Sequence, residues 1–132
     1  MAGELRVKRL LLDTHVLVWW LADTERLKAS VRRVIADPTN MAYVSAITGW
    51  EIAVNRAKGR MVAPDHLQAL IVDRGFTHLP LTYEHAEQAA QLPGHHRDPF
   101  DRFLIAQAQS ENLTIVTRDQ QIPLYAVDTL AA

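Results

Sequence analysis

Leu10-Leu11-Leu12-Asp13-Thr14-His15-Val16-Leu17-Val18-Trp19-Trp20-Leu21-Ala22 decides the fold class of this chain. Three consecutive leucines behind a basic lead-in of Arg6, Lys8 and Arg9 predict a short strand buried on both faces, the pattern of a parallel sheet. The strand stops at Asp13-Thr14, and a helix carries Val16 to Ala22. The same alternation continues outward. Leu27, Val31, Val34 and Ile35 form a helical stripe over Glu25 to Ala36, ended by Asp37-Pro38-Thr39-Asn40. Ala42 to Ser45 reads as the next strand. Ile47, Trp50, Val54 and Ala57 mark a helix over Ala46 to Ala57, closed by Gly59. Asp65 to Asp73 is amphipathic and helical, Phe76 to Leu81 a strand and Tyr83 to Leu92 a helix. After a loop at Pro93-Gly94-His95-His96-Arg97 comes the clearest helix, Pro99 to Glu111. Thr114 to Thr117 is a β-branched strand, and Tyr125 to Val127 reads as a last one. Short apolar strands alternating with helices predict an α/β protein, a three-layer α/β/α sandwich with a mainly parallel central sheet.

Bulk properties narrow the classes. The 132 residues suit a single domain spanning 1–132. Hydrophobic residues at 48% and charged residues at 22% exclude disorder and fibrous repeats. Cysteine is absent, which excludes disulfides and thiolate metal sites and suits a reducing cytoplasm. A metal must then be held by oxygen or imidazole. Asp13 and His15 interrupt the longest apolar stretch, which falls short of membrane-spanning length, so a soluble protein with no signal peptide is expected. A net charge of -1 argues against coating of nucleic acid by bulk charge but leaves local patches open.

The informative residues are acids at positions where burial is expected. An unpaired buried carboxylate costs several kcal/mol, so its presence demands a reason. Asp13 ends the leucine strand, where ligands of open α/β sheets gather, although an N-cap role would also place it there. Glu51 lies four residues after Ile47 and three before Val54, bordering the apolar face, from which it could still snorkel outward. Asp101 precedes Leu104, Ile105 and Ala108 at three-, four- and seven-residue spacing, in line with the buried stripe of its helix. Asp98-Pro99 is a helix start in which Asp98 serves equally well as a cap. Asp119 follows the Ile115-Val116-Thr117 strand and Arg118, again at a strand's carboxyl end, where an Asx turn would explain it equally well.

Four such acids distributed over the chain are explained together by one cluster. Carboxylates about 5 Å apart repel by a few kcal/mol per pair at an effective dielectric near 20, so they must be protonated or share a cation. Oxygen ligation selects Mg2+ or Mn2+, and Mg2+ retains waters available for attack on a phosphodiester.

Four blocks carry a resemblance: Leu10 through Leu21; Val44-Ser45 with Trp50-Glu51-Ile52; His96-Arg97-Asp98-Pro99-Phe100-Asp101-Arg102-Phe103-Leu104-Ile105-Ala106-Gln107-Ala108; and Ile115-Val116-Thr117-Arg118-Asp119. In this order and over nearly the whole chain, they resemble PIN domains of the VapC toxin family. The resemblance implies a PIN fold and a Mg2+- or Mn2+-dependent endoribonuclease. It further implies a homodimer, neutralised by a cognate antitoxin as one half of a bacterial toxin–antitoxin pair. By position, Asp13, Glu51, Asp101 and Asp119 are the acidic quartet, Asp98 an extra acid, and Thr14 and Thr117 supporting hydroxyls. The expected chemistry is RNA phosphodiester cleavage with the metal held by Asp13 and Asp101, assisted by Glu51 and Asp119. Arg97, Arg102 and Arg118 flank the acids as candidate phosphate ligands or as ordinary solvated charge. No pair among the six histidines has metal-ligand spacing, so His95 and His96 are expected in solvent and none is assigned a catalytic role. Trp19, Trp20 and Trp50 are expected in the core or at dimer or antitoxin contacts.

Two rivals predict different residues. A receiver- or phosphatase-like module wants an Asp-x-Asp pair and a late lysine, yet Thr14 and His15 follow Asp13 and no lysine follows Lys58. A PIN-like module that holds a cation without nuclease activity would not need intact acids at all four positions.

Overall fold

A computed structural model describes residues 7–132; Arg6 of the basic lead-in lies outside the described residues. The elements run β1 (Arg9–Leu12), α1 (Thr14–Ala22), α2 (Ala29–Ala36), β2 (Met41–Ser45), α3 (Ala46–Ala57), α4 (Leu67–Asp73), β3 (Thr77–Leu79), α5 (Tyr83–Gln91), α6 (Pro99–Glu111), β4 (Thr114–Thr117), a 3-10 turn (Ile122–Leu124) and β5 (Thr129–Ala131). The strands form one sheet in the order β3-β2-β1-β4-β5, with every neighbouring pair parallel.

The leucine run explains the layers. Successive residues of a strand point to opposite faces, and all three leucines are buried. Leu10 and Leu12 join one core with Val16 and Leu17 of α1, Val31 and Ile35 of α2, and Ile71 of α4. Leu11 joins the other with Leu104 and Ile105 of α6. Helix α5 packs on α6, completing the third layer, while α3 reaches both cores through Ile52 and Ile47. Fully burying each such side chain stabilises the fold by about 1.5–3 kcal/mol relative to exposure, so both faces of β1 hold the sandwich together.

Local chemistry sets the helix ends. Ser45 caps α3 through the Ile47 N–H at 3.0 Å. Asn112 adopts φ 57°, a left-handed conformation tolerated by asparagine, and ends α6 just before β4.

Most bounds shift by a residue or two, the strand expected over Phe76–Leu81 shortens to Thr77–Leu79, and two elements differ more. The second helix starts at Ala29 rather than Glu25, because 25–27 form turns that bury Leu27 without continuing the helix. The last strand is Thr129–Ala131, not Tyr125–Val127. Tyr125 is buried in the α6-side core, and β5 instead takes its register from pairing with β4, Ile115 opposite Thr129.

The topology positions the site. From central β1 the chain steps outward to β2 and β3, then returns to place β4 on the other side of β1. Beyond β1 it enters α1 on one face, and beyond β4 it packs Ile122 into the core on the other. Such a reversal opens a crevice at the carboxyl ends of the two strands.

Candidate metal centre

Asp13 follows β1 directly and Asp119 lies two residues beyond β4, so both strands deliver a carboxylate to the same crevice. The side chain of Asp13 caps α1, its Oδ1 accepting the Thr14 N–H at 2.6 Å, and its Oδ2 accepts from Thr117 Oγ1 at 2.6 Å. Capping and clustering are thus the same placement. Thr14 Oγ1 donates to Glu51 Oε1 at 2.6 Å, drawing α3 toward α1. Helix α6 points its first turn at this group: Asp101 is buried, and Asp98 caps the helix by accepting from the Phe100 and Asp101 N–H groups. Asp119 Oδ1 accepts from Gln121 N–H at 2.7 Å and Ile122 N–H at 3.2 Å, so it makes its turn as well as facing the crevice. Asp13, Glu51, Asp98, Asp101 and Asp119 line one cleft of about 250 Å3.

The electrostatics follow from that convergence. Burial pushes the Asp101 carboxyl up to about 8, and the neighbouring Asp13, Asp98, Asp119 and Glu51 add to the shift. Burial also raises Asp13, against the pull of the Thr117 and Thr14 hydrogen bonds. Glu51 is raised by burial, with Thr14 opposing and Asp98 and Asp13 adding. Carboxylates that burial and each other make hard to ionise are groups whose charge a divalent cation compensates.

One residue of the cluster runs against expectation. His96, expected in solvent, is largely buried, with Nε2 at 2.7 Å from Asp101 Oδ2 and 3.2 Å from Asp119 Oδ2. The correction has a tertiary cause. Arg102 donates to the carbonyls of Ala89, Leu92, Pro93 and His96, and Tyr125 Oη accepts the His96 N–H, folding the loop over the cleft. His95 behaves as expected, exposed and edge-on to Tyr125. Arg102 is therefore a loop clamp, its donors spent on carbonyls rather than aimed at the acids. Arg118 borders the cleft, stacked 4.3 Å above Trp19 and bonded to the Ala132 and Arg26 carbonyls. Arg97 is exposed on the loop. Trp19 and Trp20 pack partly buried against the core, whereas Trp50 is 61% exposed and tilts on Phe100 beside the cleft.

The donor set fits a small divalent cation. Asp101 and Asp119 each present a carboxylate oxygen within 4.8 Å of the other's and of a His96 ring nitrogen. Adjacent ligands of an octahedral ion at about 2.1 Å stand about 3 Å apart, so an ion fits among these carboxylates.

A parallel α/β sheet with carboxylates converging at its topological switch defines the class: an open α/β protein with an acidic cation pocket. The chain belongs to the PIN-domain family, whose model matches residues 10–128. Ribonuclease VapC22 of Mycobacterium tuberculosis is 30% identical over 117 residues, covering 85% of this chain and 88% of that protein. VapBC of Salmonella typhimurium bound to DNA has a similar fold (TM-score 0.68, 18% identity, 95% of this chain and 98% of that one). So does VapBC2 of Rickettsia felis bound to a promoter fragment (TM-score 0.67, 14% identity, 92% and 97%). No helix among the described residues is long and apolar enough to cross a membrane.

Proposed function

We propose that this protein is a divalent-cation-dependent endoribonuclease that acts in the cytoplasm as the toxin of a toxin–antitoxin pair. The observation that carries the proposal is the convergence of Asp13, Glu51, Asp101 and Asp119 in one cleft, with Asp101 pushed up to about 8 by burial and by the other acids. The relative named Ribonuclease VapC22 supports the substrate class. The neighbours in fold include a toxin–antitoxin complex from Klebsiella pneumoniae, which supports the partner.

In this proposal Asp13 and Asp101 hold Mg2+ or Mn2+, with Glu51 and Asp119 assisting directly or through water. The ion would supply Lewis-acid polarisation of the phosphodiester and of a water. The protein supplies the rest. Thr14 and Thr117 fix the orientation of Glu51 and Asp13 by short hydrogen bonds. Arg97 on the loop, and Arg118 at the cleft edge with the donors its carbonyl contacts leave, would meet RNA phosphates. The antitoxin inserts a basic side chain among the acids and covers apolar surface near Trp19 and Trp20, since an anionic cleft is complementary to a guanidinium. A second copy of the chain covers the exposed Trp50 with Phe100 in a homodimer.

Expression of the chain alone in a bacterial host should halt growth and accumulate RNAs with new internal ends, and co-expression with the protein encoded beside it should abolish both. Normal growth with intact RNA, at verified levels of folded protein, would overturn the proposal.

A further inference from the structure

His96 is placed by more than its own ring. Arg102 holds four carbonyls around the loop between α5 and α6. The Tyr125 hydroxyl accepts the His96 N–H and donates to the Pro93 carbonyl, both at 2.7 Å. Two side chains from separate elements therefore fix the backbone that carries the imidazole.

The ring's own partners set its chemistry. Nδ1 accepts the Asp98 N–H at 3.3 Å, which leaves the proton of the neutral imidazole on Nε2. Nε2–H then faces Asp101 Oδ2 and Asp119 Oδ2 as a donor. A metal-ligating histidine has the reverse arrangement, with a lone pair toward the ion and the other N–H handed to an acceptor. Asp119 has little choice of oxygen. Its Oδ1 already accepts two backbone N–H groups of the turn, so Oδ2 is the atom it offers a cation, and His96 holds that atom.

We infer that His96 is an internal competitor of the cation rather than one of its ligands. Its Nε2–H lies between Asp101 Oδ2 and Asp119 Oδ2, oxygens those acids would offer a cation, and holds them together. A cation held by these acids would compete with Nε2–H for the same oxygens, and the ring would have to give them up. Because the backbone on either side is clamped, the exchange is a rotation of one side chain, and it sets cation affinity below what the carboxylates alone would give. This inference rests on the cation reading proposed above.

Titration of the full chain with MnCl2 by calorimetry at one fixed pH tests it. His96→Ala should bind Mn2+ about tenfold more tightly than the wild type, the size of one side-chain hydrogen bond that the ion no longer has to break. The same variant should melt at a lower temperature without metal. A second measurement needs no variant: saturating Mg2+ should shift the His96 Nε2–H resonance of histidine-labelled wild-type protein as its carboxylate acceptors are taken. Equal or weaker Mn2+ binding by His96→Ala, or a resonance that Mg2+ leaves in place, would overturn this inference while leaving the cation reading intact. A wild-type protein that binds no Mn2+ would overturn both.

Discussion

Thr117 Oγ1 donates to Asp13 Oδ2 at 2.6 Å, tying together two residues 104 positions apart at the ends of neighbouring strands. The same oxygen accepts the Asp119 N–H at 3.0 Å, so one hydroxyl orients two of the four acids. Thr117→Val keeps the shape and removes both bonds. It should cost about 1–3 kcal/mol in urea denaturation and weaken Mn2+ binding about tenfold, since outer groups that orient ligands typically carry 10–100-fold in affinity. Unchanged Mn2+ affinity would show that Thr117 only supports the fold.

Asp101→Asn should separate fold from function. With its carboxyl pushed up to about 8, Asp101 is mostly protonated at pH 6 and mostly charged at pH 9. Asparagine mimics the protonated form. Metal-free melting should therefore change little at pH 6, while at pH 9 the variant should gain on the order of 1 kcal/mol by losing a repelled charge. The stabilisation that Mn2+ gives the wild type should shrink or vanish. Asp98→Asn provides the contrast, because asparagine caps helices nearly as well as aspartate. Loss of the Mn2+ response in Asp98→Asn but not in Asp101→Asn would exchange their roles.

The raised carboxyls fix a sign for pH dependence. An acid whose pKa is higher folded than unfolded binds more protons in the folded state between the two values, so stability falls as pH rises through that window. For Asp101 the window runs from 3.8 to about 8, and Asp13 and Glu51, raised from 3.8 and 4.5, act in the same direction. Denaturant midpoints in EDTA should decline from about pH 5 to pH 8, and saturating Mn2+ should flatten or reverse the trend. Metal-free stability that rises over this range would contradict the electrostatic account of the cleft.

Arg102→Ala removes the donor shared by the carbonyl of Ala89 in the last turn of α5 and those of Leu92, Pro93 and His96 beyond it. Hydrogen bonds to a charged group each contribute about 1.5–3 kcal/mol, and water can replace part of them at this partly exposed site, so roughly 2–4 kcal/mol of destabilisation is expected in urea. Near-wild-type stability would remove Arg102 as the clamp.

The elements that carry their own pattern were legible in the sequence. Pro99–Glu111 and Ala46–Ala57 have capping residues at one end, a period of three and four between, and a residue suited to ending a helix at the other. The strand Thr114–Thr117 is a β-branched run. Strand β5 was not legible, because its three residues gain their pairing from β4 rather than from any alternation of their own.

The acids were legible for a related reason: a carboxylate in line with a buried stripe, such as Asp101, conflicts with the pattern around it. His96 carried no such conflict. A histidine in a polar loop reads as solvated, and only the tertiary contacts of Arg102 and Tyr125 bring it into the cleft. The one local hint was its position two residues before the Asp98 cap, close enough for its ring to accept the Asp98 N–H.

RNA cleavage by purified wild-type protein and Asp13→Asn, each with Mn2+ and with excess EDTA, tests the central claim most directly. Cleavage should occur only with the wild type and Mn2+, while Asp13→Asn stays folded and loses most activity because the acid oriented by Thr14 and Thr117 is gone. Wild-type-level cleavage in EDTA, or by folded Asp13→Asn, would contradict the account.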